Sequence, residues 1–110
     1  MFGFGPHIVE FAVHDLQSAL TRGDVALMDV REPGEFAAER IEGAIPLPLS
    51  RFDPAELPTD GRKIVLMCGV GRRSATAAAQ CAAAKIGIAG HLRGGLAAWK
   101  QAGLPTVSGT

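Results

Sequence analysis

The sequence predicts an α/β domain with a mostly parallel sheet. Apolar runs of strand length, residues 25–30 and 64–67 above all, are almost unbroken, as in strands buried on both faces. Stretches of helix formers separate these runs, so strand and helix alternate along the chain. With 110 residues, of which 47% are hydrophobic and 20% charged, there is material for one core. The chain is therefore read as one domain, residues 1–110.

Each element follows from its residues. Residues 7–11, from His7, have the length and composition of a short strand, and residues 14–20 form a helix that Gly23 ends. Residues 25–30 make a buried strand whose one acid, Asp29, lies near its end. Pro33 suits the first turn of a helix that runs to about Arg40. Residues 43–48 are extended and punctuated by Pro46 and Pro48, so they form a short edge strand at best, and residues 52–57 form one helical turn.

Residues 63–68 are the clearest strand, and its carboxyl end carries Cys68. Residues 72–86 are rich in helix formers with small side chains, which allow close packing on a sheet, and Gly87 is the expected stop. Residues 90–92 make a last short strand. Gly94 and Gly95 make a turn, and residues 96–102 a final helix that Gly103 and Pro105 end. Trp99 and Phe36 are most simply core residues.

Eleven basic residues balance eleven acidic ones without runs of like charge, so neither nucleic acid nor an anionic membrane is an implied partner. The first residues lack the pattern of a secretory signal, and no stretch approaches a membrane span, so a cytoplasmic protein is the default expectation. Cys68 and Cys81 are separated by a predicted helix that holds them beyond disulfide reach, and two unpaired thiols fit a reducing compartment. His7, His14 and His91 have no ligand-like spacing with either cysteine, so no metal is expected.

The chemistry concentrates at Cys68. In parallel α/β sheets ligands bind beyond the carboxyl ends of the strands, and here a strand, a loop with Gly69 and Gly71, and a helix start follow one another. Converging backbone N–H groups and the helix dipole favour an anion there, and the same field favours the thiolate of Cys68. Cysteine phosphatases place five residues between cysteine and arginine. Four stand between Cys68 and Arg73, and Ser74 occupies the phosphatase arginine's place. The shorter loop closes the cradle against a phosphoryl group but leaves room for one sulfur atom. No C-x-x-C pair supports thioredoxin-like exchange.

Three ordered motifs resemble the rhodanese (thiosulfate sulfurtransferase) family over nearly the whole chain. They are residues 29–36 with 40–47, the loop Cys68-Gly69-Val70-Gly71-Arg72-Arg73-Ser74, and residues 92–96 with Trp99 and 103–105. The resemblance implies a five-stranded, mostly parallel sheet flanked by helices on both faces, with a catalytic loop from Cys68 to Arg73. By similarity Cys68 takes the outer sulfur of a small-molecule donor such as thiosulfate, becomes a persulfide, and passes the sulfur to cyanide, to a thiol or to a sulfur-accepting protein. The amides of Gly69, Val70, Gly71, Arg72 and Arg73 hold the persulfide, and no cofactor is needed.

Within this reading Arg73 orients the loop, Arg72 faces solvent and meets the donor anion, and Ser74 caps the following helix. Asp29 and Arg31 carry the family's D-x-R pattern and are read as structural support near the loop, since an acid at the end of an apolar strand must find a partner. Arg40 stands where the family often has histidine. Gly69 stands where many thiosulfate-using members have arginine, which points toward another donor such as mercaptopyruvate or a protein persulfide. The rival reading is a non-catalytic module of the same fold, serving protein interaction or regulation.

Overall fold

The computed structural model describes residues 8–109. Five strands, β1 (Glu10–Phe11), β2 (Val25–Asp29), β3 (Ile45–Pro46), β4 (Lys63–Met67) and β5 (Gly90–Leu92), form one sheet in the order β1-β5-β4-β2-β3. All neighbours are parallel, with Asp29 opposite Met67 and Leu66 opposite His91. The helices are α1 (Val13–Arg22), α2 (Pro33–Ala38), α3 (Arg72–Ala83) and α4 (Gly95–Gln101).

The pleat of the central strands divides the core in two. Ala26, Met28, Ile64 and Leu66 pack on one face with Ala77, Ala78 and Cys81 of α3. Val25, Leu27, Val65 and Met67 pack on the other with Leu16 of α1 and Leu96 and Trp99 of α4. Successive side chains of a strand alternate in direction, so Cys68, of the same parity as Ile64 and Leu66, belongs to the α3 face. Its parity aims the sulfur at the start of α3.

Several bounds differ from the expectation. The first strand comprises only Glu10 and Phe11, and the expected start at His7 lies outside the described residues. The turn expected over residues 52–57 is two 3-10 turns, Leu49–Arg51 and Pro54–Glu56. The helix from Pro33 closes at Ala38, because the chain leaves it extended and Arg40 pairs with Val107. Phe36 is half-buried, outside both core clusters, with the Arg40 guanidinium 5.0 Å from its ring. Trp99 is buried, and its indole N–H donates to the Pro105 carbonyl at 2.8 Å.

α3 ends at Ala83, short of the expected Ile86, and Lys85 rather than Gly87 makes the turn, at φ 60°. Its N–H bonds Ala82 O at 3.0 Å, and Ile86 N–H bonds Cys81 O at 2.9 Å. This closure folds Ile86 back onto the apolar cluster under α3. A β-carbon in the left-handed region costs about 1–2 kcal/mol, so Lys85→Gly is expected to raise the thermal midpoint by several degrees. A lowered midpoint in calorimetry would contradict this account of the helix end.

Candidate functional site

The loop from Cys68 to Gly71 joins β4 to α3, and both of its ends are fixed. At its start the Cys68 and Gly69 carbonyls accept N–H bonds from Leu96 (2.8 Å) and Ala97 (3.0 Å), in the first turn of α4. In planar trans peptides the next N–H points opposite to each carbonyl, so tying these oxygens to α4 sends the Gly69 and Val70 amides the other way. Gly95 makes the contact possible. A β-carbon there would lie 2.4 Å from Cys68 O and 2.6 Å from Gly69 O, and its φ of 61° is itself left-handed.

At the other end Gly71, at φ 104°, turns the chain into α3. The sulfur of Cys68 accepts N–H bonds from Gly71 (3.1 Å) and Ser74 (3.3 Å), and the Ser74 hydroxyl lies 3.5 Å away. Ser74 is therefore not the helix cap that the sequence suggested. It is the third residue of α3 and lies inside the first turn, and the sulfur itself takes the open N–H groups of the helix start. The hydroxyl is buried and faces the sulfur, the Gly71 carbonyl (3.3 Å) and Nδ1 of His91 (2.8 Å).

Burial alone would raise the pKa of the Cys68 thiol. The Ser74 hydroxyl and amide, with the Gly71 and Val70 amides, outweigh it and hold the thiol below its ordinary value. These hydrogen bonds, rather than an arginine contact, set the direction. Cys81, on the sheet-facing side of α3 without such donors, is pushed up by burial. Both cysteines are free thiols.

Arg73 forks onto Glu35 of α2, at 2.7 and 3.0 Å. Glu35 also accepts the Glu32 N–H at the start of α2 (3.1 Å). Asp29 and Arg31 form a buried pair with contacts of 2.7–3.1 Å, and Arg31 reaches on to the carbonyls of Glu35 in α2 and of Glu39 just past its end. A chain of ties thus runs from the end of β2 through α2 to the start of α3, with Asp29 and Arg31 holding α2 and α2 holding Arg73. Arg72 is exposed and makes no ion pair among the described residues, and Val70 at the loop tip is 64% exposed.

Sequence reasoning missed Glu35, Gly95 and His91 as parts of this site. Glu35 and Gly95 stood inside quoted motifs without a role, and His91 was weighed only as a metal ligand. A histidine in the middle of a short strand was the one local signal available.

The Arg73 hydrogen bond brings the Glu35 carboxyl from the ordinary 4.5 down to about 2. Stability from a carboxyl lowered in the folded state is complete above pH 4.5 and is lost as pH falls through about 2. The pair is well exposed and screened by salt, so Glu35→Gln is expected to lose at most about 1 kcal/mol at neutral pH. That difference from wild type should vanish near pH 2 in denaturant titrations. A difference independent of pH would show that the ion pair is not its source.

A free thiol held by inward amides below its ordinary pKa, at the carboxyl end of a central parallel strand, marks the ligand-binding end of an α/β domain. The Rhodanese-like domain model matches residues 12–102, and the chain belongs to that family. A sulfurtransferase of Allochromatium vinosum is 39% identical over 77% of this chain and 80% of its own length. An uncharacterized protein of Synechocystis is 48% identical over 90% of this chain, which spans 56% of that relative's length. The crystal structure of a rhodanese-related protein from Thermoplasma volcanium superposes with a TM-score of 0.78 at 29% identity, covering 89% of this chain and 96% of that one. The five-stranded parallel sheet with helices on both faces is that family's fold. Among the described residues, no helix is long and apolar enough to cross a membrane.

Proposed function

We propose that the protein is a sulfurtransferase that moves a sulfane sulfur from a donor such as thiosulfate to cyanide or a thiol acceptor through a persulfide on Cys68. The observation that carries this is the hydrogen bonding of Cys68 Sγ by the Gly71 and Ser74 amides and the Ser74 hydroxyl within a loop only four residues long before Arg73. The thiolate attacks the outer sulfur of thiosulfate, a new S–S bond forms, and sulfite departs with the electron pair of the old one. The acceptor then attacks the outer sulfur, and the Cys68 thiolate leaves with the pair of the persulfide bond. The loop amides hold the negative sulfur in each state.

Arg72 is the exposed cation nearest in sequence to the loop and is assigned to the incoming anion. Arg73, engaged with Glu35, is assigned to holding the loop. Val70 at the rim offers an apolar contact to a sulfur-accepting protein. The test is incubation with thiosulfate, intact mass measurement, and colorimetry of thiocyanate after cyanide is added. Gain of one sulfur atom followed by its release as thiocyanate is expected. A chain that gains no sulfur from thiosulfate, mercaptopyruvate or a protein persulfide is instead an interaction module on the same fold.

A further inference from the structure

A line of buried polar groups leads from the sulfur to the protein surface. Ser74 Oγ lies 3.5 Å from Cys68 Sγ and 2.8 Å from His91 Nδ1, and His91 Nε2 lies 3.5 Å from a Glu10 carboxylate oxygen. Cys68, Ser74 and His91 are buried, whereas the Glu10 side chain is 48% exposed. The four groups belong to the end of β4, α3, β5 and β1, so the sheet order alone brings them together.

The proton directions follow from the neighbours. Glu10 beside Nε2 favours the imidazole tautomer with its proton there, which leaves Nδ1 as an acceptor. The Ser74 hydroxyl has one proton, and its contact with Nδ1 is shorter than that with the Gly71 carbonyl. The thiol in turn donates to Ser74 Oγ. Every donor then points from the sulfur toward Glu10.

We propose that His91 is a positioning residue that accepts, through the Ser74 hydroxyl, the proton Cys68 loses on becoming a nucleophile. Ser74 Oγ takes the Sγ proton as it hands its own to Nδ1. One S–H and one O–H bond break, one O–H and one N–H bond form, and no electrons change owner. The product is a thiolate and an imidazolium, with the renewed hydroxyl now donating to Sγ beside the two amides.

The groups facing His91 suit this exchange. Glu10, whose other oxygen lies 3.4 Å from Arg93 Nε, and the thiolate both favour the imidazolium. Arg73 is tied to Glu35. Burial lowers the His91 pKa, which keeps the ring neutral in the resting site and opposes the imidazolium, while Glu10 acts in the other direction. The inference rests on the nucleophilic role proposed for Cys68, but it concerns ionisation of the thiol and is read without any sulfur donor.

The experiment is the rate of Cys68 alkylation by iodoacetamide against pH in the full chain, with the modified residue located by peptide mass. His91→Asn keeps an amide near Nδ1 that cannot take the proton, and it is expected to move the profile's midpoint up by about one unit, a tenfold slower reaction on the acid side. Ser74→Ala should move it at least as far, and the double variant no further than Ser74→Ala, because His91 acts through Ser74. Glu10→Gln, a surface change that leaves the core intact, should give a smaller rise. An unmoved profile in folded His91→Asn, or additive shifts in the double variant, would overturn the proposal. If His91→Asn does not fold, an unmoved profile in Glu10→Gln decides against it. Failure of sulfur loading alongside an intact His91 effect would count against the sulfurtransferase reading alone.

Discussion

Cys68→Ser is expected to abolish sulfur loading and to lower thiocyanate formation by at least about 10³-fold, the scale on which nucleophile replacements act. The fold should survive, because a serine oxygen can accept the same Gly71 and Ser74 N–H groups that the sulfur accepts. The hydroxyl cannot replace the thiolate as attacking group, since the site offers hydrogen bonds suited to an anion that a serine does not form at neutral pH. Cys81→Ala is the matched control. It removes a buried thiol that burial holds protonated, so some stability should be lost while turnover per folded molecule stays unchanged. Full activity in Cys68→Ser would show that the nucleophile is misassigned, and a large loss in Cys81→Ala would mean a second thiol takes part. Intact mass, thiocyanate colorimetry and thermal melting together separate these outcomes.

Gly95→Ala should be strongly damaging although Gly95 lies outside the loop itself. Its added carbon would overlap the Cys68 and Gly69 carbonyls, which are backbone atoms that no rotamer change can move aside, and its φ is already left-handed. The expected destabilisation is about 3 kcal/mol, part from backbone strain and part from pushing β4 and α4 apart. Activity should fall further than stability explains, because those two carbonyls orient the Gly69 and Val70 amides, and the Val70 amide helps to hold the thiol below its ordinary value. A displacement near 1 Å is enough for about a 100-fold loss. Gly103→Ala supplies the control, since Gly103 also has a positive φ but nothing within 4 Å of the position a β-carbon would take. It should show the strain alone, about 1 kcal/mol, with unchanged turnover. Equal effects of the two substitutions would mean that the α4 contact does not order the loop.

These expectations differ in how far they were legible in the chain itself. That Cys68 ends a buried strand and precedes a helix is local information, carried by the apolar run before it and the helix formers after it. Its side of the sheet follows from strand parity, and the loop length from counting to Arg73. The lowered thiol pKa was also legible in direction, because a glycine-bearing turn before a helix exposes amides to whatever precedes it. Its cause was less so. The Ser74 hydroxyl, read as a helix cap, faces the sulfur instead, and Arg73 is taken by Glu35, 38 positions away.

The helix ends show the same division at smaller scale. Gly23 closes α1 as its position suggested, while the close of α3 falls at Lys85, two residues before the glycine expected to end it. Local propensity favoured continuing the helix. Burial of Ile86 against the apolar cluster under α3 favoured turning back earlier, and packing outweighed the cost of one strained residue.

By itself the sequence determined the α/β alternation, the place of Cys68 at the carboxyl end of a buried strand, and the length and glycines of its loop. These depend on neighbours within a few residues, where hydrophobic period and backbone freedom act directly. Only the tertiary structure decided that Gly95 would press on the Cys68 carbonyl, that Glu35 would take Arg73, and that His91 would stand behind Ser74. Each of these contacts joins parts of the chain separated by 17 to 38 positions in sequence. They exist because β5 lies beside β4, and β2 on its other side, an order set by how helices cover both faces of the sheet rather than by any single stretch of residues.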